Sequence, residues 1–349
     1  MTTKPLWRWP AEWEDQDAIL LAWPNDQTDW AANLVEVQAS YIALLRAICR
    51  FQRALLIVPD TATQAEVRRR LGPDPNCEQR LGFAQCAYDD TWLRDSGPVT
   101  LVANGRFLLN DFRFTGWGGK FEASRDDLLV KTLFDAGQFR NADMKPWDFA
   151  LEGGAIDGDG AGTVLTTYHC LHERHPLLSH AQLGEKLGEM LHADRVLMLE
   201  HGELQGDDTD AHIDTLARFA AVDAIVFQGC DDPGDAHYAP LSRMRDEIEA
   251  LHTRAQQPYR LFALPWAKPI HASDGRRLAA SYANFLIINS AVLMPAYGDV
   301  ADTHAAEVLR LAFPDREVVP VPCRALIEQN GSLHCVTMQL PRGVLNVQA

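Results

Sequence analysis

Three stretches of the sequence gather side chains able to do covalent and acid–base chemistry. Asn330-Gly-Ser-Leu-His-Cys-Val-Thr337 sets a thiol, Cys335, just after Gly331, whose backbone freedom permits an unusual turn, and puts the thiol in a strand beginning near the C-terminus. A thiol with a pKa of about 8.5 attacks only as the thiolate, so it needs neighbours that help its proton leave. Read alone, Cys335 serves equally well as a small core residue, the common fate of cysteine. Gly206-Asp-Asp-Thr-Asp-Ala-His-Ile-Asp214 gathers four acids and a histidine and runs into an apolar stretch. On a strand, His212 and Asp214 stand two apart and share a face, which delivers an imidazole and a carboxylate to one site. A solvated acidic loop is the plainer alternative. Thr91-Trp-Leu-Arg-Asp-Ser-Gly-Pro98 puts Asp95 before a Gly-Pro turn with Trp92 three residues earlier, and its simplest reading is a turn cap paired to Arg94. Trp117-Gly-Gly-Lys120 and Leu151-Glu-Gly-Gly154 carry glycine pairs that admit close backbone approach to a ligand or make ordinary hairpin turns.

The elements that must position these groups follow a repeating grammar. Apolar residues at helical spacing from Trp30 to Arg50 predict a helix, and Ala54-Leu-Leu-Ile-Val-Pro-Asp60 a buried strand. A helix over 62–71 precedes extended pieces at 84–88, 99–103 and 106–114, the last two joined by an Asn104-Gly105 hairpin signal. The pattern returns at 149–167, where two runs flank an Asp- and Gly-rich turn, followed by a helix over 178–192 and a strand at 195–200. Residues 212–227 read as mostly extended. An amphipathic helix over 241–251, a strand at 259–264, a strand pair within 282–294, a helix over 302–313 and strands at 317–322 and 332–340 complete the chain. About five helix-plus-strand units with no linker between them argue for one α/β body, a single domain over 1–349, while the hairpins and the lack of an early G-x-G-x-x-G turn disfavour a doubly wound sheet.

The bulk properties narrow the classes of function. A net charge of -16 repels nucleic acid and anionic membrane and attracts small cations. Proline and acids break the opening segment, which lacks signal-peptide character, and no apolar run is long enough for a bilayer. Seven cysteines without a C-x-x-C pair suit a reducing cytoplasm better than a disulfide framework or structural zinc.

In their order along the chain, these segments resemble the agmatine deiminase and bacterial-type peptidyl-arginine deiminase family of guanidine-modifying enzymes. The resemblance spans PAEWEDQDAILLAWP at 10–24, W-x-R-D-x-G-P at 92–98, FTGWGGK at 114–120, LEGG at 151–154, D-T-D-x-H-I-D-T-L-A-R-F at 208–219, SYANFLIIN at 281–289 and G-S-L-H-C at 331–335. It implies the pentein fold, a five-bladed α/β-propeller. It further implies Cys335 as nucleophile, His212 as general acid and base, and Asp95 and Asp214 as the carboxylates that grip a guanidinium, with no metal or cofactor. Trp92, Trp117 and Glu152 would line the pocket, together with Asp208 and Gly331, and Asp89 would meet an amine. The implied substrate is agmatine, converted to N-carbamoylputrescine and ammonia through a Cys thiouronium, in the cytoplasm and with room for a homodimer. The sequence departs from the family pattern at Ala211, where Gly or Ser is frequent, at Gln329-Asn330, where glycines are usual, and at Asp89-Asp90 in place of an Asn-Asp pair.

Three rivals share parts of this evidence. Asp210-Ala-His-Ile-Asp214 has the D-A-H-x-D spacing of manganese ureohydrolases, but the second acidic run and upstream G-G-D-H of such enzymes are missing. A deiminase of C-terminal peptidyl-arginine would need a cation for the substrate carboxylate, for which Arg113 is a candidate, although a solvated strand arginine explains it more simply. A binding protein that has lost catalysis would not need the intact set of Cys335, His212, Asp95 and Asp214.

Overall fold

A computed structural model describes residues 6–346 of the chain. Its strands form five small sheets, and each contains the same element, an antiparallel pair followed by a parallel third strand. Val99–Ala103 and Arg106–Arg113 pair antiparallel, and Ala142–Ala150 joins parallel to the second. Ile156–Gly158, Thr163–Thr167 and Arg195–Leu199 repeat the arrangement, as do Ala217–Ala221, Ala224–Gln228 and Arg260–Leu264, and then Leu286–Ile288, Ala291–Ala296 and Glu317–Pro322. A parallel neighbour demands a crossover, and helices supply it: Leu129–Asp135, Tyr168–Arg174 with His180–Leu191, Tyr238–Ala250 and Ala301–Ala312.

The fifth sheet closes the ring with both ends of the chain. Gln16–Ala22 runs antiparallel to Met338–Pro341 and parallel to Arg53–Val58, with helix Leu34–Phe51 as the crossover and Leu81–Gln85 as an added edge. This is the five-bladed α/β-propeller, and the repeating units legible in the sequence are its blades. Leu34–Phe51 is helical because Val37, Tyr41, Leu44, Leu45 and Ile48 recur on one face, which the sheets bury completely.

Three expectations are corrected. His212 and Asp214 stand in a tight 3-10 turn, Ile213–Thr215, rather than on a strand, and the strand begins only at Ala217. Cys335 likewise precedes its strand, which spans Met338–Pro341. Gly331 does not adopt a positive φ; a Cβ there would lie 2.1 Å from the Trp92 ring, so glycine is required by close approach instead of by turn geometry.

Candidate active site

The blades share a positional rule that builds the site. In each, the residues just before the first strand turn toward a common centre: Asp95 before Val99, Glu152 and Gly154 before Ile156, His212 and Asp214 before Ala217, Asn284 before Leu286, and Cys335 before Met338. Five segments remote in sequence therefore converge because the same place in each unit faces the same axis.

Cys335 lies at the bottom of a cavity of about 450 Å³. Its Sγ is 3.7 Å from Asp214 Oδ2 and accepts a hydrogen bond of 3.2 Å from Asn284 Nδ2. Asn284 Oδ1 accepts from the His334 amide at 2.8 Å, which fixes the amide side chain against the thiol. Burial pushes the Cys335 thiol well above its ordinary value, and the Asp214 and Asp95 charges push it further.

Asp95 is the first carboxylate of the site. It sits in the short helical turn Leu93–Ser96, where Trp117 Nε1 donates to Oδ2 at 2.9 Å and the Gly154 amide donates to Oδ1 at 2.9 Å. Burial raises its pKa to about 6. Asp214 is buried equally deeply, but the desolvation is outweighed by His334, whose Nδ1 lies 2.7 Å away, together with the His212 and Arg218 charges, which hold its carboxyl low. His212 lies between Asp95 and Glu152, with Nδ1 3.7 Å from Asp95 Oδ1 and Nε2 3.7 Å from Glu152 Oε2. Burial opposes its charge, yet Asp95, Cys170 and Glu152 together raise its pKa well above the ordinary value, which favours the imidazolium. A Cβ at Gly154 would come within 2.6 Å of His212 Nδ1 and 2.8 Å of Asp95 Oδ1, so only glycine fits between base and carboxylate.

Polar atoms here are left open. Both ring nitrogens of His212, Asp214 Oδ1 and Glu152 Oε2 are buried without a hydrogen-bond partner among the described residues. Such atoms are strongly disfavoured unless something arrives to pair them, and a planar cation rich in N–H groups complements the two carboxylate oxygens, while the His212 N–H groups are left to donate.

Of the residues singled out from the sequence, Cys335, Asp95, Trp92, Trp117, Asp89, Asp208 and Gly331 line the cavity, and His212, Asp214 and Glu152 lie directly behind it. Trp92 and Trp117 meet edge to face at 6.4 Å and form an aromatic wall. Asp89 is already engaged: its Oδ2 accepts from the Arg125 amide at 2.7 Å, and the Arg125 guanidinium is 3.6 Å away. Asp29 and Asp90, also in the lining, have no ion-pair partner among the described residues. Sequence reasoning missed Asn284 as a thiol partner and Glu12, Arg94, Arg218 and His334 as supports, although all fall inside the matched segments. Arg113 lies outside the cavity, solvated and paired with Asp148 at 2.8 Å.

The metal-site reading of Asp210-Ala-His-Ile-Asp214 does not fit the donors. Arg174 and Lys120 occupy the Asp210 carboxylate, and His334 occupies Asp214. The cluster of metal-capable groups among the described residues is a different one, Glu152, Cys170 and His212.

Comparison with known proteins decides the family. The model of the Porphyromonas-type peptidyl-arginine deiminase family matches residues 8–341. The chain belongs to that family. It is 32% identical over 360 residues to an agmatine deiminase of Stutzerimonas stutzeri, covering 95% of both chains. A crystal form of C. jejuni agmatine deiminase, a cysteine-to-serine variant with substrate bound, is 35% identical over 97% of both chains with a TM-score of 0.88. Agmatine deiminase of Enterococcus faecalis is 27% identical over 99% of both chains with a TM-score of 0.87. These two relatives share the fold seen here over nearly their whole length.

Proposed function

We propose that this protein is an agmatine deiminase, hydrolysing agmatine to N-carbamoylputrescine and ammonia. The observation that carries the reading is the convergence of a thiol, two carboxylates and a charged imidazole with unpartnered polar atoms at the base of an acid-lined cavity. The relatives named agmatine deiminase add to it.

The electrostatics order the steps. In the free enzyme the neutral thiol of Cys335 is favoured, because burial and then the Asp214 and Asp95 charges oppose a thiolate. A guanidinium held by these two carboxylates cancels that repulsion, so substrate itself lowers the thiol pKa, and the proton leaves through the cavity. The paired carboxylates fix the flat cation and aim its carbon at Sγ. Thiolate attack forms the C–S bond and a tetrahedral adduct; imidazolium His212 gives a proton to the departing nitrogen, and ammonia leaves a cationic thiouronium. His212, now neutral, takes a proton from water as the oxygen attacks. Collapse breaks the C–S bond, the hydroxyl proton passes to the departing Sγ, and the carbamoyl product leaves with the neutral thiol and imidazolium His212 restored.

The outer cavity favours agmatine over arginine or an arginyl peptide. Asp29, Asp90 and Asp126 line it, whereas the Arg276 guanidinium is spoken for by Asn330 Oδ1 at 2.7 Å and the Glu328 carbonyl at 2.9 Å. A terminal ammonium is complemented there and a carboxylate is repelled. Among the described residues no helix is long and apolar enough to cross a membrane, in keeping with a cytoplasmic enzyme acting on a small solute. The test is ammonia release from agmatine, free arginine and a peptide ending in arginine. Agmatine is expected to lead, and Cys335→Ala to lose on the order of 10⁴-fold or more in kcat. Preferred turnover of arginine or peptide, or an active Cys335→Ala, would reverse the reading.

A further inference from the structure

Two consecutive residues without glycine's freedom stand left-handed immediately before His212: Asp210 at φ +66° and Ala211 at φ +70°. A third, Trp117 at φ +56°, lies in the facing turn Gly116–Gly119, and its indole holds Asp95. A Cβ crowds its own backbone in this region, so these conformations persist only where their surroundings enforce them.

The surroundings meet at one carboxylate. Asp210 accepts from Arg174 Nη1 at 2.6 Å and from Lys120 Nζ at 2.7 Å on both oxygens. Arg174, almost wholly buried, also donates through Nε to Glu152 Oε1 at 2.7 Å and through Nη2 to the Thr209 carbonyl at 3.1 Å. Lys120 follows the Trp117 turn and donates as well to the Asp208 carbonyl at 2.6 Å. The loop is tied from within by Asp207, whose carboxylate accepts from the amides of Thr209 and Ala211. One side chain thus joins the turn that carries His212, the arginine that orients Glu152, and the segment that carries Trp117.

We infer that Asp210 is a positioning residue: through Arg174 and Lys120 it holds the left-handed turn at 210–211 and so sets the imidazole of His212 between Asp95 and Glu152. It touches no reacting atom. The inference rests on the agmatine deiminase reading only for its kinetic readout.

The strain itself supplies the discriminating test. Asp210→Ala removes the clamp and leaves a residue that resists the left-handed region, whereas Asp210→Gly removes the clamp and the resistance together. With agmatine, Asp210→Ala should lose about 10²-fold in kcat with KM changed less than about threefold, and Asp210→Gly should be about tenfold more active than Asp210→Ala. Lys120→Met, at a partly exposed position that leaves the Arg174 contact in place, should lose about threefold with an unchanged Tm. Equal losses in the Ala and Gly variants, a loss confined to KM, or full activity in Asp210→Ala would each overturn the inference.

A second readout needs no turnover: the rate at which chloroacetamidine, a small amidinium alkylating agent, labels Cys335, followed by mass spectrometry. The same ranking, wild type above Asp210→Gly above Asp210→Ala, is expected, and identical labelling in all three counts against the clamp. If wild type releases no ammonia from agmatine, the substrate reading fails while the labelling series still decides the role of Asp210. Should Asp210→Ala not fold, Lys120→Met and Asp210→Gly carry the comparison in both assays.

Discussion

Two charged regions lie back to back near the centre of the propeller, and they treat their charges in opposite ways. Beneath the site, Glu12 is buried against Arg218 at 3.0 Å, Arg94 at 3.4 Å and His334 at 2.8 Å, and Arg218 also pairs with Asp157 at 2.8 Å. Burial opposes the Glu12 charge, but Arg218, His334 and Arg94 overcome it and hold the carboxyl well below the usual carboxylate range. Glu12 Oε1 also accepts the Ile287 amide at 2.7 Å, so the cluster ties the N-terminal segment to a distant blade. A few ångströms away, Asp214, His212 and Glu152 are as deeply buried, yet open lone pairs and N–H groups remain. Charges matched by opposite charges specify structure, even though Arg94 Nη2 and Arg218 Nη2 have no hydrogen-bond partner among the described residues, and carboxylates with open lone pairs await a ligand. His334 is the joint between the two regions, with one nitrogen on Glu12 and the other on Asp214.

Breaking the completed region should have the larger effect on stability. Glu12→Gln leaves Arg94 buried without an ion-pair partner among the described residues and Arg218 with Asp157 alone, which is expected to destabilise the fold by about 3–5 kcal/mol. Thermal unfolding should show a fall in Tm on the order of 5–10 °C. A Tm within a degree of wild type would mean that the cluster is as uncompleted as the site above it.

The uncompleted region should respond in the opposite direction. Asp95 has its pKa raised to about 6, so the folded state disfavours its charge. Below about pH 3 the group is protonated in folded and unfolded chains alike and contributes nothing; the penalty grows from the unfolded value of 3.8 upward and is complete once pH has passed the folded value of about 6. Near two pKa units this amounts to roughly 3 kcal/mol at pH 8 as an upper figure. Asp95→Asn should therefore be more stable than wild type at pH 8 and equal to it near about pH 3, while losing on the order of 10³-fold in kcat. Denaturant melts at the two pH values check the sign, and a less stable variant at pH 8 would place Asp95 with the structural charges.

How much of this was readable beforehand follows from the physics of each segment. Strands Val99–Ala103 and Glu317–Pro322 carry their own apolar pattern and turn signals, and they stand where the sequence places them. Gln16–Ala22 was passed over because it opens directly from an acid-rich segment, and Ala142–Ala150 because it is an exposed polar edge interrupted by Pro146. The chemistry of Cys335, His212, Asp95 and Asp214 was legible from residue type and matched motifs, but their backbone was not. All four occupy short turns that precede strands, and such turns are fixed by tertiary contacts such as Asn284 on Cys335 or His334 on Asp214, which no local pattern encodes. Glu12 reads locally as one more acid in an acidic opening; only the fold reveals that it is buried between two arginines.

The same contrast recurs on a smaller scale within the cavity wall, between adjacent carboxylates. Asp89 is satisfied by the Arg125 amide and guanidinium, whereas Asp90 accepts only the Thr91 amide, and burial raises its pKa to about 7. A substrate ammonium arriving at the outer cavity gains most from the carboxylate that lacks a cation, because it both pairs the group and restores its charge. Asp90→Asn is therefore expected to raise KM for agmatine about tenfold with kcat nearly kept, and Asp89→Asn to change KM by less than about threefold. Because Asp90 binds its proton near neutrality, the KM of wild type should rise as pH falls from 8 to 6, and that dependence should weaken in Asp90→Asn to the share left by Asp126 and Asp95, whose pKa values are raised to about 7 and about 6. Steady-state kinetics over this range separates the two residues; a larger effect at Asp89 would show that a paired carboxylate can still be the one that reads the amine.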